Sequence, residues 1–143
     1  MNDLFSVKNK VVVITGGTGV LGKAIAAYLA KEGAKVVVLG RRAEAGNAIV
    51  DEIKKEGGEA MFLTTNVLDQ AVVEQNLKDI LAAYGRVDAL LNAAGGNMPG
   101  ATIAPTGTIF DLKPEEFQTV LNLNLTGTVI PTQVFLKAMV EQK

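Results

Sequence analysis

Four short apolar runs alternate with helix-type stripes along this 143-residue chain, and no other feature restricts the fold as much. The first run is Lys10-Val11-Val12-Val13-Ile14-Thr15, apolar on both faces as a strand buried inside a parallel sheet must be. Leu21, Ala24, Ile25, Tyr28 and Leu29 then recur at helical spacing, with Gly33 just past them as a stop signal. A second buried-type strand, Lys35–Gly40, precedes a helix striped by Ala45, Ile49, Val50 and Ile53 and closed by Gly57-Gly58. A weaker third strand is expected at Met61–Thr64. Asp69 is a candidate N-cap for the next helix, striped by Val73, Leu77, Ile80, Leu81 and Tyr84 and ended by Gly85. The fourth strand is expected at Val87–Asn92. After a glycine-rich connection, Pro114-Glu115-Glu116 opens a last helix, with proline and two acids suited to a first turn.

Strand and helix alternating in this way build βαβ units, so the expected fold is α/β: a doubly wound parallel sheet of the Rossmann type. No linker or internal repeat divides the chain, and residues 1–143 are expected to form one domain. The fourth strand is apolar on both faces and is followed by a single helix, which predicts that this is the first part of a longer domain.

Composition narrows the chemistry. Cysteine and histidine are both absent, which removes disulfides, thiolate nucleophiles, Cys/His metal sites and Ser-His catalysis. No metal site is expected. With 14 Lys+Arg against 15 Asp+Glu, no basic surplus points to a nucleic-acid or anionic-membrane partner. No apolar run approaches the ~20 residues of a membrane helix, and the first ten residues lack a signal-peptide core. A cytoplasmic protein acting on a small molecule is the expectation.

Between the first strand and helix lies Thr15-Gly16-Gly17-Thr18-Gly19-Val20-Leu21-Gly22-Lys23, in which Gly17, Gly19 and Gly22 satisfy G-x-G-x-x-G. In a strand-turn-helix setting that motif lets backbone N–H groups and a helix N-terminus receive a pyrophosphate. Gly17 through Lys23 also reads as the start of a triphosphatase loop, G-x-x-x-x-G-K, but Ala24 stands where that loop needs a Mg²⁺-binding hydroxyl. The second strand ends in Gly40-Arg41-Arg42, where NAD binders commonly carry an acid for the ribose hydroxyls. A guanidinium there suits a 2′-phosphate, so NADP is expected in preference to NAD, with Arg41 the main contact and Arg42 beside it.

Thr15–Gly22, Asn92-Ala93-Ala94-Gly95 and Asn124-Leu125-Thr126-Gly127, in that order, resemble the short-chain dehydrogenase/reductase family. The resemblance covers the chain and implies a nicotinamide-dependent oxidoreductase, commonly a homotetramer that packs this last helix in its interface. It implies cofactor contacts from Gly16, Thr18, Gly19, Val20, Leu21 and Gly22, and a cleft lined by Asn92, Ala93, Ala94 and Gly95. Asn66-Val67 stands where the family has Asp-Val, the acid touching the adenine amine; an Asn66 amide can accept the same bond without charge. The family's T-G-x-x-x-G-x-G would place glycine at position 20, where this chain has Val20 and moves the glycine to Gly19.

Phe117, Val120, Leu121, Asn124 and Thr128 share one helical face, so the Asn124 amide must find partners there. The resemblance gives Asn124 a catalytic role, holding a relay water, and leaves Asn122 at the surface toward Gln118. The family's Y-x-x-x-K is missing: Tyr28 and Tyr84 are followed four residues on by Glu32 and Asp88. The expectation is that the serine, tyrosine and lysine of the reaction lie beyond Lys143 and that these 143 residues alone are inactive. Gly95–Thr102, Phe110-Asp111-Leu112, Asn122–Gly127 and Pro131–Phe135 are similar to the D-mannonate oxidoreductase-like branch, which implies a sugar acid such as D-fructuronate or D-mannonate. Another sugar or polyol, and a catalytically inactive dinucleotide-binding module, are the alternatives.

Overall fold

A computed structural model describes residues 4–142. Strands β1 (Val11–Thr15), β2 (Lys35–Gly40), β3 (Glu59–Thr64) and β4 (Ala89–Asn92) form one parallel sheet in the order β3-β2-β1-β4. Helices α1 (Val20–Lys31), α2 (Ala43–Lys55) and α3 (Gln70–Tyr84) connect them, and α4 (Pro114–Leu121) and α5 (Gly127–Glu141) follow. No helix among the described residues is long and apolar enough to cross a membrane.

The two-residue period of a strand sorts the valines into two cores. Val12, Ile14, Val36 and Val38 pack with Ala26 and Ala30 of α1 and with Ile49, Val50 and Ile53 of α2. On the other face, Val11, Val13, Val37 and Leu39 meet Val73 and Ile80 of α3 and Val134 and Phe135 of α5. The sheet is therefore covered on both faces, as the continuous apolar runs require. β1, paired on both sides, is buried along its whole length, whereas β4 pairs only with β1 and its four residues are half-buried.

Helix α1 buries a different side from the expected one. Gly22, Ala26 and Ala30 face the sheet, while Leu21 is 75% and Tyr28 64% exposed, and Ala24 and Ile25 are exposed as well. The cause is close approach: a Cβ on Gly22 would stand 2.5 Å from the Gly16 carbonyl oxygen. At that separation only small side chains fit between the helix and the sheet. A similar contact fixes α2, where a Cβ on Gly46 would run into the Phe62 ring.

Asp69 caps α3, accepting the Val72 N–H at 3.1 Å, and Gly85 closes it in the left-handed conformation with φ 74°. Val73 and Ile80 of the expected stripe are buried, Leu77, Leu81 and Tyr84 are half-buried, and Asn76 is buried with them. β3 begins two residues before the expected start because Lys35 and Glu59 pair in register and as an ion pair at 3.6 Å. β4 begins two residues late. Val87 gives its N–H to Gln142 Oε1 (2.7 Å) and accepts Gln142 Nε2 (2.6 Å), so its backbone is engaged by the end of the last helix.

The last helix is interrupted. Residues Asn122–Thr126 form a π turn, in which the Gly127 N–H reaches the Asn122 carbonyl, five residues back. The face drawn through Phe117, Val120, Leu121, Asn124 and Thr128 is not buried: Phe117, Leu121 and Asn124 are exposed, Val120 and Thr128 half-buried, and the extra residue parts Thr128 from the residues before the turn. Gln118 Nε2 donates to Asn122 Oδ1 at 3.0 Å, which leaves Asn122 at the surface.

Candidate functional site

The carboxyl ends of the four strands open into one cleft of about 660 Å³, the position at which open α/β sheets bind ligands. It is lined by Gly16, Thr18 and Gly19 after β1, Arg41 and Arg42 after β2, Thr65, Asn66, Val67 and Leu68 after β3, and Ala93, Ala94 and Gly95 after β4. Thr119 and Leu123 of the helical segment form the remaining wall. Of the residues expected at a cofactor, Val20, Leu21, Gly22 and Asn92 do not line it, and neither does Asn124.

The floor is built where β1 meets β4. Buried Thr15 accepts the N–H groups of Ala93 and Ala94 on its Oγ1, both at 3.2 Å. Gly16 has φ +63°, and a Cβ on it would lie 2.6 Å from the Ala93 carbonyl oxygen. Only glycine combines that conformation with that contact.

The loop's amides are not all free. Gly17 N–H bonds the Leu39 carbonyl at 3.0 Å and Gly19 N–H bonds the Gly16 carbonyl at 2.9 Å, so two of the motif's glycines hold the turn itself. Intrahelical bonding begins with Lys23 N–H to Gly19 O at 2.9 Å. Val20, Leu21 and Gly22 therefore offer the unpaired N–H groups of a helix start, beside a cleft edge formed by Gly19. Their side chains stay outside, and it is their backbone that could receive an anion. Lys23 pairs with Glu52 of α2 at 2.9 Å and does not line the cleft.

Position 40 is crowded by Thr18: a Cβ there would sit 2.8 Å from both its Oγ1 and Cγ2. A side chain at the end of β2 would therefore require Thr18 to move. The two arginines next to it differ. Arg42 Nη2 donates to the Thr18 carbonyl at 2.9 Å and ties the loop to the start of α2. Arg41 has no such bond and lines the cleft, exposed.

At the β3 end, Thr65 N–H bonds Gly40 O at 2.9 Å, and Asn76 Nδ2 donates to Thr65 Oγ1. Asn76 was not legible as part of the site; its only signal is an amide within an otherwise apolar helical stripe. Asn66 Oδ1 already accepts the Leu68 N–H at 3.1 Å, closing a side-chain turn, so the acceptor expected for a base is engaged from within. Asn92 lies behind the cleft, where its Nδ2 donates to Thr132 Oγ1 at 3.1 Å and its buried Oδ1 has no partner among the described residues.

Asn124 grips the β4–α4 connection. Its Oδ1 accepts from Gly96 N–H and its Nδ2 donates to Gly96 O, each at 2.9 Å. The same connection is fastened again at Gly100, whose N–H donates to Glu116 (2.7 Å) and whose carbonyl accepts Lys113 N–H (2.7 Å). The Gly100 bond, and then Lys113, hold the Glu116 carboxyl below its ordinary value. Neither tyrosine lines the cleft. Burial and then Glu59 push the Tyr84 hydroxyl up.

Comparison with known proteins agrees with this architecture. The short chain dehydrogenase profile matches residues 10–143. An uncharacterized oxidoreductase, UxuB of Bacillus subtilis (strain 168), is 42% identical over 140 residues, covering 92% of this chain and 50% of its own. A Haemophilus influenza protein provisionally described as a D-mannonate oxidoreductase, solved with bound NAD, superposes with a TM-score of 0.86 at 36% identity over 94% of this chain and 51% of its own. A metagenomic short-chain oxidoreductase in complex with NADP gives 0.81 at 31% identity, over 96% and 59%. The chain spans about half the length of the curated relatives it matches. It belongs to the short-chain dehydrogenase/reductase family.

Proposed function

We propose that this chain is the cofactor-holding part of an oxidoreductase that passes hydride between a nicotinamide dinucleotide and a carbonyl or secondary alcohol. The observation that carries this reading is the pairing of an unsatisfied helix start at Val20–Gly22 with a cleft running from Arg41 to Gly95. A nicotinamide cofactor supplies or accepts the hydride; the protein's part is to bind and orient it.

Each strand end takes a part of that task. The Val20, Leu21 and Gly22 amides receive the diphosphate, with Gly16, Thr18 and Gly19 shaping the turn. Arg41 receives a 2′-phosphate, so NADP is preferred over NAD. Asn66 and Val67 border the base, and Ala93, Ala94 and Gly95 border the nicotinamide half. Asn92 supports β4 from behind, and Asn124 positions the Gly96 connection and contributes to proton relay in the intact enzyme. With no Y-x-x-x-K and no tyrosine in the cleft, residues 1–143 alone bind but do not turn over.

A sugar acid such as D-fructuronate or D-mannonate is the proposed substrate class. Support comes from the long connection Ala93–Lys113 beside the cleft and from likeness to the Haemophilus protein. Association into a homo-oligomer is proposed through the exposed apolar side chains of the last helices. The site sits in a small-molecule cleft, and action in the cytoplasm is part of the same reading.

The test is a binding and NADPH-oxidation screen of the intact protein against keto-uronates and neutral ketoses. Tight NADP binding with turnover of a keto-uronate is expected. Absence of affinity for both nicotinamide dinucleotides sinks the reading, and turnover of neutral ketoses alone sinks the sugar-acid part.

A further inference from the structure

We infer that Asn66 relaxes the selection of the dinucleotide's purine, so that a 6-oxo base is accepted nearly as well as adenine. The inference rests on the dinucleotide reading above and adds a specificity-determining residue to it.

The sheet order β3-β2-β1-β4 lays the cleft out in sequence. With the diphosphate at the β1–α1 turn and the adjoining ribose at the end of β2, the purine falls to the next strand end, which is β3. There Thr65, Asn66, Val67 and Leu68 line the cleft, and Asn66 is exposed in it.

A carboxamide has one oxygen and one nitrogen, and at this position the turn dictates which is which. Leu68 N–H can be satisfied only by an acceptor, so Oδ1 is held at 3.1 Å from it. The Asn66 carbonyl is likewise engaged, by Asp69 N–H at 3.0 Å. The atom left without a partner is Nδ2, a donor. Oδ1 keeps one lone pair, and the neighbouring hydroxyl adds no further acceptor, because Thr65 is buried, with its Oγ1 donating to the Leu63 carbonyl at 3.0 Å and accepting from Asn76.

An aspartate in the same turn would behave differently. One carboxylate oxygen would take Leu68 N–H and the other would remain as an acceptor, matched to the 6-amino group of adenine and repelling the oxygen of a 6-oxo purine. Asn66 presents a donor beside a half-used oxygen, so it pays neither the penalty nor the reward. Sites that hydrogen-bond one substituent discriminate strongly, whereas sites that do not lose that discrimination.

The experiment is a fluorescence titration of the intact protein and its Asn66→Asp variant with NADP and with nicotinamide hypoxanthine dinucleotide phosphate. The wild type is expected to separate the two by less than about threefold, and Asn66→Asp to widen the ratio to about tenfold or more in favour of adenine. A melt of both proteins checks that the isosteric variant keeps the turn. An unchanged ratio in Asn66→Asp overturns this inference alone. Failure of the wild type to bind either dinucleotide overturns the dinucleotide reading and this inference together.

Discussion

Asn124 holds Gly96 at both ends of its carboxamide, accepting the N–H and donating to the carbonyl at 2.9 Å each. The pair imitates one rung of a β-ladder between a helix and a connection whose only regular structure is two short 3-10 turns, Pro99–Ala101 and Ile109–Asp111. A Cβ on Gly96 would only touch Leu123, at 3.4 Å, so the grip depends on the asparagine and not on tight packing of the glycine. Asn124→Ala is expected to lower stability by about 1 kcal/mol, because both bonds are solvent-exposed. Hydrogen exchange should accelerate at Gly96 while the β1 and β2 amides stay protected. Unaltered exchange there would mean the connection is held elsewhere.

The two arginines after β2 should separate cleanly. Arg41→Ala removes the free guanidinium and is expected to weaken NADP by roughly tenfold or more while leaving NAD nearly unchanged. Arg42→Ala frees the Thr18 carbonyl and loosens the turn, so NADP and NAD should weaken by a similar factor. Paired titrations of both variants with both dinucleotides read this directly, and equal loss of both cofactors in Arg41→Ala would deny it the 2′-phosphate.

The glycines are not equivalent. A Cβ on Gly19 would meet only the Gly16 oxygen at 3.3 Å, whereas one on Gly22 would stand 2.5 Å from that oxygen and 2.7 Å from Gly17 Cα. Gly19→Ala should be tolerated in a thermal melt, and Gly22→Ala should cost about 1–3 kcal/mol and abolish dinucleotide binding. Gly46→Ala should cost a similar amount without touching the cleft, and Phe62→Leu should recover part of it by shrinking the ring the methyl strikes.

Asp88 anchors the entry to β4, accepting Val11 N–H at 2.8 Å and a two-point bond from Arg86. Burial pushes its carboxyl up, but Arg86, the Val11 N–H and Lys10 outweigh that, and the net position is below the ordinary value. A depressed carboxyl stabilises the fold above its unfolded value of about 3.9, and the contribution disappears as pH falls through the folded value. The stability difference between wild type and Asp88→Asn should therefore be full at neutral pH and shrink below about pH 4 in denaturant titrations. A difference constant with pH would show that Asp88 acts by shape alone.

An apolar row of Leu125, Val129, Leu136 and Val140 runs exposed along α5 and the turn before it. If it joins copies of the protein, Leu136→Glu should shift the intact protein to a smaller species in light scattering, with dinucleotide affinity retained. A monomeric wild type would remove the basis for the homo-oligomer.

Where side chains alternate on both faces of a buried strand, the sequence is explicit: β1 and β2 stand where the valine runs put them, and Asp69 and Gly85 bound α3 as their chemistry requires. Reading failed where contact distance, and not polarity, decides the outcome. Leu21, Ile25 and Tyr28 look like the buried face of α1 until Gly22 draws the helix against the turn and leaves room only for Ala26 and Ala30. The cleft was legible as the set of residues following each strand. The division of labour inside it was not, since which arginine is tied to Thr18 and which atom of Asn66 faces outward depend on bonds between distant or turning segments.

The π turn at Asn122–Thr126 also sets the rotational phase of everything after it. One residue of an α-helix is worth ~100° of rotation about its axis. Ordinary α winding through Asn122–Thr126 with no residue removed would swing Val134, Phe135 and Ala138 off the sheet, whereas deleting a single residue there would restore ordinary winding and keep them on it. The irregular winding thus works as a gear offset between the half of the helix that borders the cleft and the half that seals the core.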